Sequence, residues 1–406
     1  MVTKEFDLII NGGGMAGATL AWGLQYILGR DNALKIAIIE ASTDQKNHAG
    51  FDARVIALSY GSRQILEQIG LWPDYQSIVT PINDISVTDR GHFGQTTLRP
   101  AEYQVPHLGY VVELADSGKL LLDKLADKVT WFRPNRIMEL NQQQRHVEVR
   151  LDDGQQLRAP LIVAADGGFS TVRQLLTLNN QQTDFEQSAI IANITTSQAH
   201  QGVAYERFSE HGPIALLPMS QGRSSLVWSM KTSDIESIMS LDDDGFLAKL
   251  QQAFGYRLGV FEKTGKRVSY PLIQTLANEL THHRVAFIGN AAQALHPIAG
   301  QGFNLGLRDV AALIDSISRT IIATKDIGGF AMLNQYSQAR AADRQSTIWA
   351  TSGLVSIFSN QHWPLVIGRN LGLSLSNCLS TMKKPIAQQM LGWNHQLPVL
   401  KPQRLP

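Results

Sequence analysis

Cysteine is almost missing: one residue, Cys378, stands in 406. That excludes an intrachain disulfide and a thiolate metal cluster, and gives no sign of an oxidising compartment. An excess of either charge is missing too. Lys and Arg number 36 against 35 Asp and Glu, a formal net charge of +1, and no basic run carries interleaved aromatics, so nucleic acid is not an expected partner. No apolar run reaches the roughly 18 uninterrupted residues of a spanning helix. The nearest, Trp363 to Leu379, is broken by Arg369, Asn370 and Asn377, which leaves open only contact with a membrane surface. The first residues, MVTKEFDLIINGGG, lack the apolar core of a signal peptide. The expected location is therefore the cytoplasm, peripheral at most to the inner face of the membrane. His282 and His283 are adjacent rather than spaced on one helical face, and no metal is expected.

What is present is a folded composition, 44% hydrophobic and 17% charged, in a chain long enough for two or three domains. Near the start, Phe6 to Ile10 form a short run of strand character that ends in Gly12-Gly13-Gly14-Met15-Ala16-Gly17. Helix-favouring residues follow, and a second apolar run, Ile36 to Ile39, closes with Glu40. Strand, glycine turn, helix, strand and acid in that order are the dinucleotide fingerprint. Gly12 suits the tight turn, Gly14 lets the backbone approach a pyrophosphate, and Gly17 lets the helix lie close to the strand. Ala16 belongs to the same turn, the helix N-terminus offers free N–H groups to the phosphates, and Glu40 can accept from ribose hydroxyls.

Two further stretches share the pattern of strand, turn and helix. After the alternating strand VEVRL (147 to 151) and a DDG turn comes LIVAADGGFSTVRQLL, with Asp166-Gly167, a helix start at Ser170 and Arg173 one turn on. This is either a cofactor element or simply a well-capped helix. The third is the strand Val285 to Ile288, then Gly289-Asn290 and the run HPIAGQGFNLGLRD from His296 to Asp309. Helical spacing begins at Phe303, so the loop Ala299 to Gly302 is expected to present main-chain N–H groups at a helix N-terminus. Such groups suit the part of a flavin where negative charge collects on reduction. The stretch carries little acid–base chemistry because its backbone is the functional group.

Together these elements resemble the group A flavin-dependent aromatic hydroxylases of the p-hydroxybenzoate hydroxylase fold, over essentially the whole chain. The run from His296 to Asp309 is similar to the signature of the ubiquinone-biosynthesis hydroxylases among them, nearest to the branch that acts on polyprenyl methoxyphenols. The third motif of the wider family begins Gly-Asp; here it is Gly289-Asn290, a mark of that branch. The resemblance implies FAD as cofactor, NADPH or NADH as co-substrate, O2, a prenylated phenol as substrate, and other ubiquinone-biosynthesis proteins as partners. It implies hydroxylation through a flavin hydroperoxide, with 2-polyprenyl-6-methoxyphenol converted to the 1,4-benzoquinol. Cofactor contacts are then expected from Gly12, Gly14, Ala16, Gly17, Glu40, Asp166, Gly167, Asn290, Gly302, Phe303 and Asn304. Arg54 would reach the pyrophosphate region, where a fork of donors suits a diphosphate, with an ordinary surface arginine as the alternative. Glu113 would lie near the cofactor through side chain or backbone. Pro297, Gly300 and Gly302 would act through backbone groups at the flavin and substrate. His296 reads as a loop histidine satisfied by hydrogen bonds, with a general base as the alternative.

The expected fold class is α/β: a Rossmann-type FAD-binding domain (1–80, 106–182 and 276–330), an inserted antiparallel-sheet substrate domain (81–105 and 183–275), and a helical C-terminal region (331–406). Alternation in Ile190, Ala192, Ile194 and in Leu226, Trp228, Met230 marks the inserted strands. Tyr205, Phe208, Leu216, Pro218 and Trp228 are candidates to line an apolar pocket beneath them, against a default of core packing. Two other functions stay open: a sibling hydroxylase acting at another ring carbon, and an FAD-stabilised scaffold in a quinone-assembly complex.

Overall fold

The short apolar runs Leu8–Asn11, Ile36–Ile39 and Ile162–Ala164 are buried along their whole length, as strands covered on both faces of a parallel sheet must be. They form the middle of a six-stranded sheet in the computed structural model, which describes residues 3–42, 54–89, 94–209, 212–297, 300–359, 380–393 and 396–402. In spatial order its strands are Thr281–His282, Val285–Phe287, Ile162–Ala164, Leu8–Asn11, Ile36–Ile39 and Thr130–Phe132. All neighbours pair in parallel except the first two.

Two helices pack on this sheet and on each other. Met15–Leu28 follows the first glycine turn, and Gln301–Ile322 follows the third motif. They come close because Gly23 has no side chain: a Cβ there would stand 2.4 Å from Ile314 Cδ1. Gln301 is two residues earlier than the expected helix start. Gly300 takes the left-handed N-cap conformation at φ 60°, and that turns Gln301 and Gly302 into the first helical turn.

A nine-stranded sheet gathers Asp84–Asp89 and Gln95–Leu98 with the strands Asn180–Thr196, Val203–Ser209, Gly212–Pro218, Arg223–Lys231, Phe261–Thr264, Val268–Ala277 and Gln293–Ala294. All of its pairings are antiparallel except Val203–Ser209 with Asp84–Asp89. One face carries Ile190, Ile194, Ile214, Leu216, Leu226, Trp228 and Met230, packed with Phe246, Leu250 and Phe254 of the helix Asp243–Phe254 into a core of its own.

Toward the C-terminus the helices Phe330–Ser359 and Ser380–Leu391 close the molecule. The first is fixed by buried charge. Arg308 Nε donates to Asp343 Oδ2 (2.7 Å), Arg340 Nε donates to Asp309 Oδ1 (2.7 Å), and Arg340 also donates to Asp343. Asp309 in turn accepts the Gly289 N–H at 3.1 Å and the Gln293 amide at 2.6 Å. The greasy segment Trp363 to Leu379 lies outside the described residues. No helix among the described residues is long and apolar enough to cross a membrane.

Candidate cofactor and substrate site

Strand Leu8–Asn11 ends where its backbone must turn sharply, and Gly12 does so at φ 108°, with an added Cβ only 2.5 Å from the Ala165 carbonyl. Gly17 is required for a different reason: a Cβ there would stand 2.0 Å from the Gly12 oxygen, so its role is the helix–strand approach. Between them Gly14 is open, with nothing within 4 Å of an added Cβ. The helix that Gly14 caps has no acidic residue in its first turn, so its positive dipole end is not neutralised locally. Glu40 closes the turn from the other side, accepting the Gly13 N–H at 2.8 Å and the Ser42 N–H at 2.9 Å.

The second motif satisfies both readings of its sequence. Ser170 caps the helix Thr171–Leu175 by accepting the Arg173 N–H at 3.3 Å. Asp166 Oδ2 takes the Thr171 N–H and the Asn11 amide, each at 2.7 Å, while Oδ1 has no hydrogen-bond partner among the described residues. Burial pushes the Asp166 carboxyl up from its ordinary pKa against these stabilising bonds. Arg173, itself buried, donates to Gly168 O and to Ala291 O, which ties the second motif to the third.

In the third motif Gly289 turns at φ 59°, and Gly306 approaches it so closely that a Cβ would be 2.9 Å from its Cα. Ile298 and Ala299 lie outside the described residues, so the expected Ala299 to Gly302 loop is placed only from Gly300 onward. Gly302, second in its helix, is as open as Gly14. The Pro297 carbonyl already accepts the Gly300 N–H at 3.0 Å. The Asn304 side chain is saturated: it accepts from Ser59 N and Ser62 Oγ (2.8 and 2.6 Å) and donates to Ala57 O and Gly300 O (both 2.8 Å). Its amide therefore staples the helix start to the strand Val55–Ser59, and a ligand would meet its backbone.

These elements converge on one cavity of about 1140 Å³, larger than the roughly 300–1,000 Å³ of a single small-ligand site. Gly12, Gly14, Ala16 and Glu40 line it from the first motif, Asp166 and Gly167 from the second, and Asn290, Pro297, Gly300, Gly302, Phe303 and Asn304 from the third. Arg54 lines it as well, so it is no remote surface arginine. Of the expected cofactor residues only Gly17 stands back from the wall. The two open glycines, the bare helix N-termini and the unpaired Asp166 oxygen fit an extended dinucleotide such as FAD, whose phosphates take free N–H groups at a helix start and whose ribose hydroxyls take carboxylate acceptors.

The remaining wall is sheet. Ile191, Ala204, Ala215, Leu217 and Val227 face the cavity, with Ile82, Ile85, Leu108 and Met390 completing it. This corrects the expected lining. Leu216 and Trp228 point to the opposite face of the same strands, into the core against the helix Asp243–Phe254, because side chains alternate and a shift of one residue changes face. Phe208 and Pro218 are absent from the wall too; Tyr205 touches the cavity, but it lies opposite Leu216 in register and its ring packs edge-on against Phe254 in that same core. The Glu113 side chain is engaged by the protein: its carboxylate accepts from Arg223 at 2.8 Å, joining the strand Gly109–Glu113 to the large sheet, while the adjacent Leu114 lines the cavity. Asn135, Arg136, Glu206 and Tyr270 line the cavity unannounced by any motif. A row of alternating residues would have marked Glu206, but only once its face was known.

His296 is 2% exposed, off the cavity wall, with Nε2 3.3 Å from Gln187 Oε1 and its ring edge-on to Phe185. Burial lowers its pKa from 6.5 to about 4. Between those values the unfolded chain binds a proton that the folded chain does not, so stability falls as pH drops through this window, by at most about 3 kcal/mol. Urea unfolding at pH 7 and near pH 4.5 is expected to show the loss, and His296→Gln to remove most of it. An unchanged pH slope in that variant would exclude His296 as the source.

The family described as FAD binding domain matches residues 5–350. The chain is similar to Ubiquinone hydroxylase UbiL of Rhodospirillum rubrum, 34% identical over 96% of this chain and 90% of that protein. It is also similar to Ubiquinone biosynthesis monooxygenase COQ6, mitochondrial, of Xenopus tropicalis, 29% identical over 94% of this chain and 92% of that one. Among solved structures, p-nitrophenol 4-monooxygenase PnpA of Pseudomonas putida superimposes with a TM-score of 0.78 at 16% identity, over 96% of this chain and 99% of that chain; at that identity the likeness is one of fold.

Proposed function

Because the chain belongs to the FAD binding domain family and is an FAD-dependent aromatic hydroxylase, we propose that it hydroxylates a prenylated phenol in ubiquinone biosynthesis. The substrate we assign is a 2-polyprenyl-6-methoxyphenol and the product its 1,4-benzoquinol. Bound FAD, reduced by NADPH or NADH and reacting with O2, supplies the oxygen atom. We divide the chain for this work as its sequence suggests, with the nucleotide on 1–80, 106–182 and 276–330 and the substrate beneath 81–105 and 183–275.

The observation that carries the substrate class is the character of the sheet wall. Arg54 and Arg136 are the only basic side chains lining the cavity among the described residues. Arg136 follows Asn135, whose N–H donates to the Glu40 carbonyl at 2.9 Å, which puts it with the ribose-binding acid. Arg54 precedes the strand Val55–Ser59 and is not part of the large sheet. The strands of the large sheet bring no basic side chain to the cavity among the described residues, so a substrate carboxylate set against them would lose water without gaining a cation, at a cost of several kcal/mol. A polyprenyl tail needs only apolar wall, each buried CH2 contributing about 0.8 kcal/mol, and Ile82, Ile85, Leu217 and Met390 supply it.

The chain's own residues then have limited tasks. Gly14 and Gly302 bring main-chain N–H groups to the cofactor, and the apolar wall keeps water from the reacting ring. Gly300 and Pro297 shape the loop between the two ligands. The test is the purified holoenzyme with NADPH or NADH, O2 and a short-chain 2-prenyl-6-methoxyphenol, its products identified by mass spectrometry and NMR. One added oxygen para to the phenol is expected. Addition at another carbon would make the chain a sibling hydroxylase, and no NAD(P)H oxidation at all would favour a scaffold.

A further inference from the structure

Where the large sheet meets the cavity its side chains are mostly apolar, Ile85, Ile191, Ala204, Ala215, Leu217 and Val227, with Glu206 among them. In register, Ile191 lies opposite Val227, Val227 opposite Ala215, and Ala215 opposite Glu206. All four line the cavity, so they form one cross-strand row on one face. Three inter-strand steps of ~4.8 Å place the Glu206 strand about 14 Å from that of Ile191. Glu206 is 9% exposed and is the only acidic side chain in the sheet part of the wall among the described residues; the other two lining acids, Glu40 and Asp166, belong to the nucleotide motifs.

A carboxylate held in an apolar wall is costly to desolvate and is retained where it is hydrogen-bonded. Glu206 has protein partners, and a carboxylate has about four lone-pair sites, so a ligand donor can be accommodated beside them. A carboxylate accepts and does not donate. It repels a carboxylated ring and favours a ring with a hydroxyl. Resting on the reading of the chain as a phenol hydroxylase, we propose that Glu206 is a specificity-determining residue: its carboxylate accepts the hydrogen bond of the substrate's phenolic hydroxyl and orients the ring beneath the apolar row. A substrate hydroxyl hydrogen-bonded to an anion also leaves its ring richer in electrons, which favours attack on an electrophilic oxygen.

The test compares two probes, 2-geranyl-6-methoxyphenol and its O-methyl ether, binding to FAD-loaded protein followed by the change in flavin absorbance. The ether keeps the tail and ring but has no hydrogen to donate. Wild type is expected to prefer the phenol by about ten- to a hundredfold, the range for a hydrogen bond to a charged group. Glu206→Gln should cut that preference to about threefold or less, with FAD content unchanged. Glu206→Ala, which makes room for the added methyl, should bind the two probes about equally. A merely structural glutamate would alter folding or FAD retention and leave the preference intact, and that result overturns the proposal. So does a wild type with no preference, a result that needs no variant to fold. Wild type that binds neither probe would sink the substrate reading itself.

Discussion

Purified Gly14→Val protein is expected to fold and to be colourless. The space an added side chain would occupy is empty of protein, with nothing within 4 Å of a Cβ, and it opens on the cavity. The Gly14 backbone, at φ −69°, is accessible to any residue. Valine therefore costs the apoprotein little and fills the place of the pyrophosphate. Titration with FAD, followed by flavin fluorescence, should show affinity at least about a hundredfold weaker, ~2.7 kcal/mol. Gly17→Ala sets the contrast, since its Cβ would fall 2.0 Å from the Gly12 oxygen and should harm folding before it harms binding. Full flavin occupancy in Gly14→Val would show that the phosphates lie elsewhere. The other open glycine gives a graded companion. Gly302→Pro removes one main-chain donor and should leave FAD bound with a midpoint potential about 30–60 mV more negative, the equivalent of one lost hydrogen bond to a charged group.

Arg340→Met is expected to destabilise the protein by about 3–5 kcal/mol in urea unfolding, because it leaves the buried Asp309 carboxylate without its ion-pair partner and Asp343 with Arg308 alone. Asp309 and Asp343 both accept from Arg340, and Arg308 reaches only Asp343 of the two. Burial lowers the Arg340 pKa, but Asp309 and Asp343 more than offset this and hold it above its ordinary value. The damage should extend to the cofactor, since Asp309 also fixes the Gly289 N–H; FAD should leave the variant faster than wild type. Asp309→Asn combined with Arg340→Met should cost less than the sum of the two, as expected for residues in contact. A loss below about 1 kcal/mol in Arg340→Met would mean that the network is relaxed by water.

Local chemistry made much of this protein legible. The turn at Gly12, the approach at Gly17, the Ser170 cap and the strand Val147–Leu151 each depend on residues a few positions apart, and each stands where the sequence puts it. In the third motif helical spacing begins at Phe303, two residues after the helix itself, which starts at Gln301 beyond the left-handed cap at Gly300. Such a cap has no periodicity to announce it.

By itself the sequence determined the α/β class, the three strand–turn–helix elements and the cofactor, because tight turns and helix starts are properties of neighbouring residues. It also contained both faces of every strand in the inserted sheet, but not which face meets the cavity. Ile190, Leu216 and Trp228 and their neighbours Ile191, Ala215 and Val227 are equally apolar. Only the packing of the helix Asp243–Phe254 on one side decides that the second set lines the site. The same holds for Glu206, and for the Arg308–Asp343 and Arg340–Asp309 pairs, whose members are 35 and 31 residues apart. Tertiary structure decided these because burying a charge or choosing a face is settled by what arrives from elsewhere in the chain.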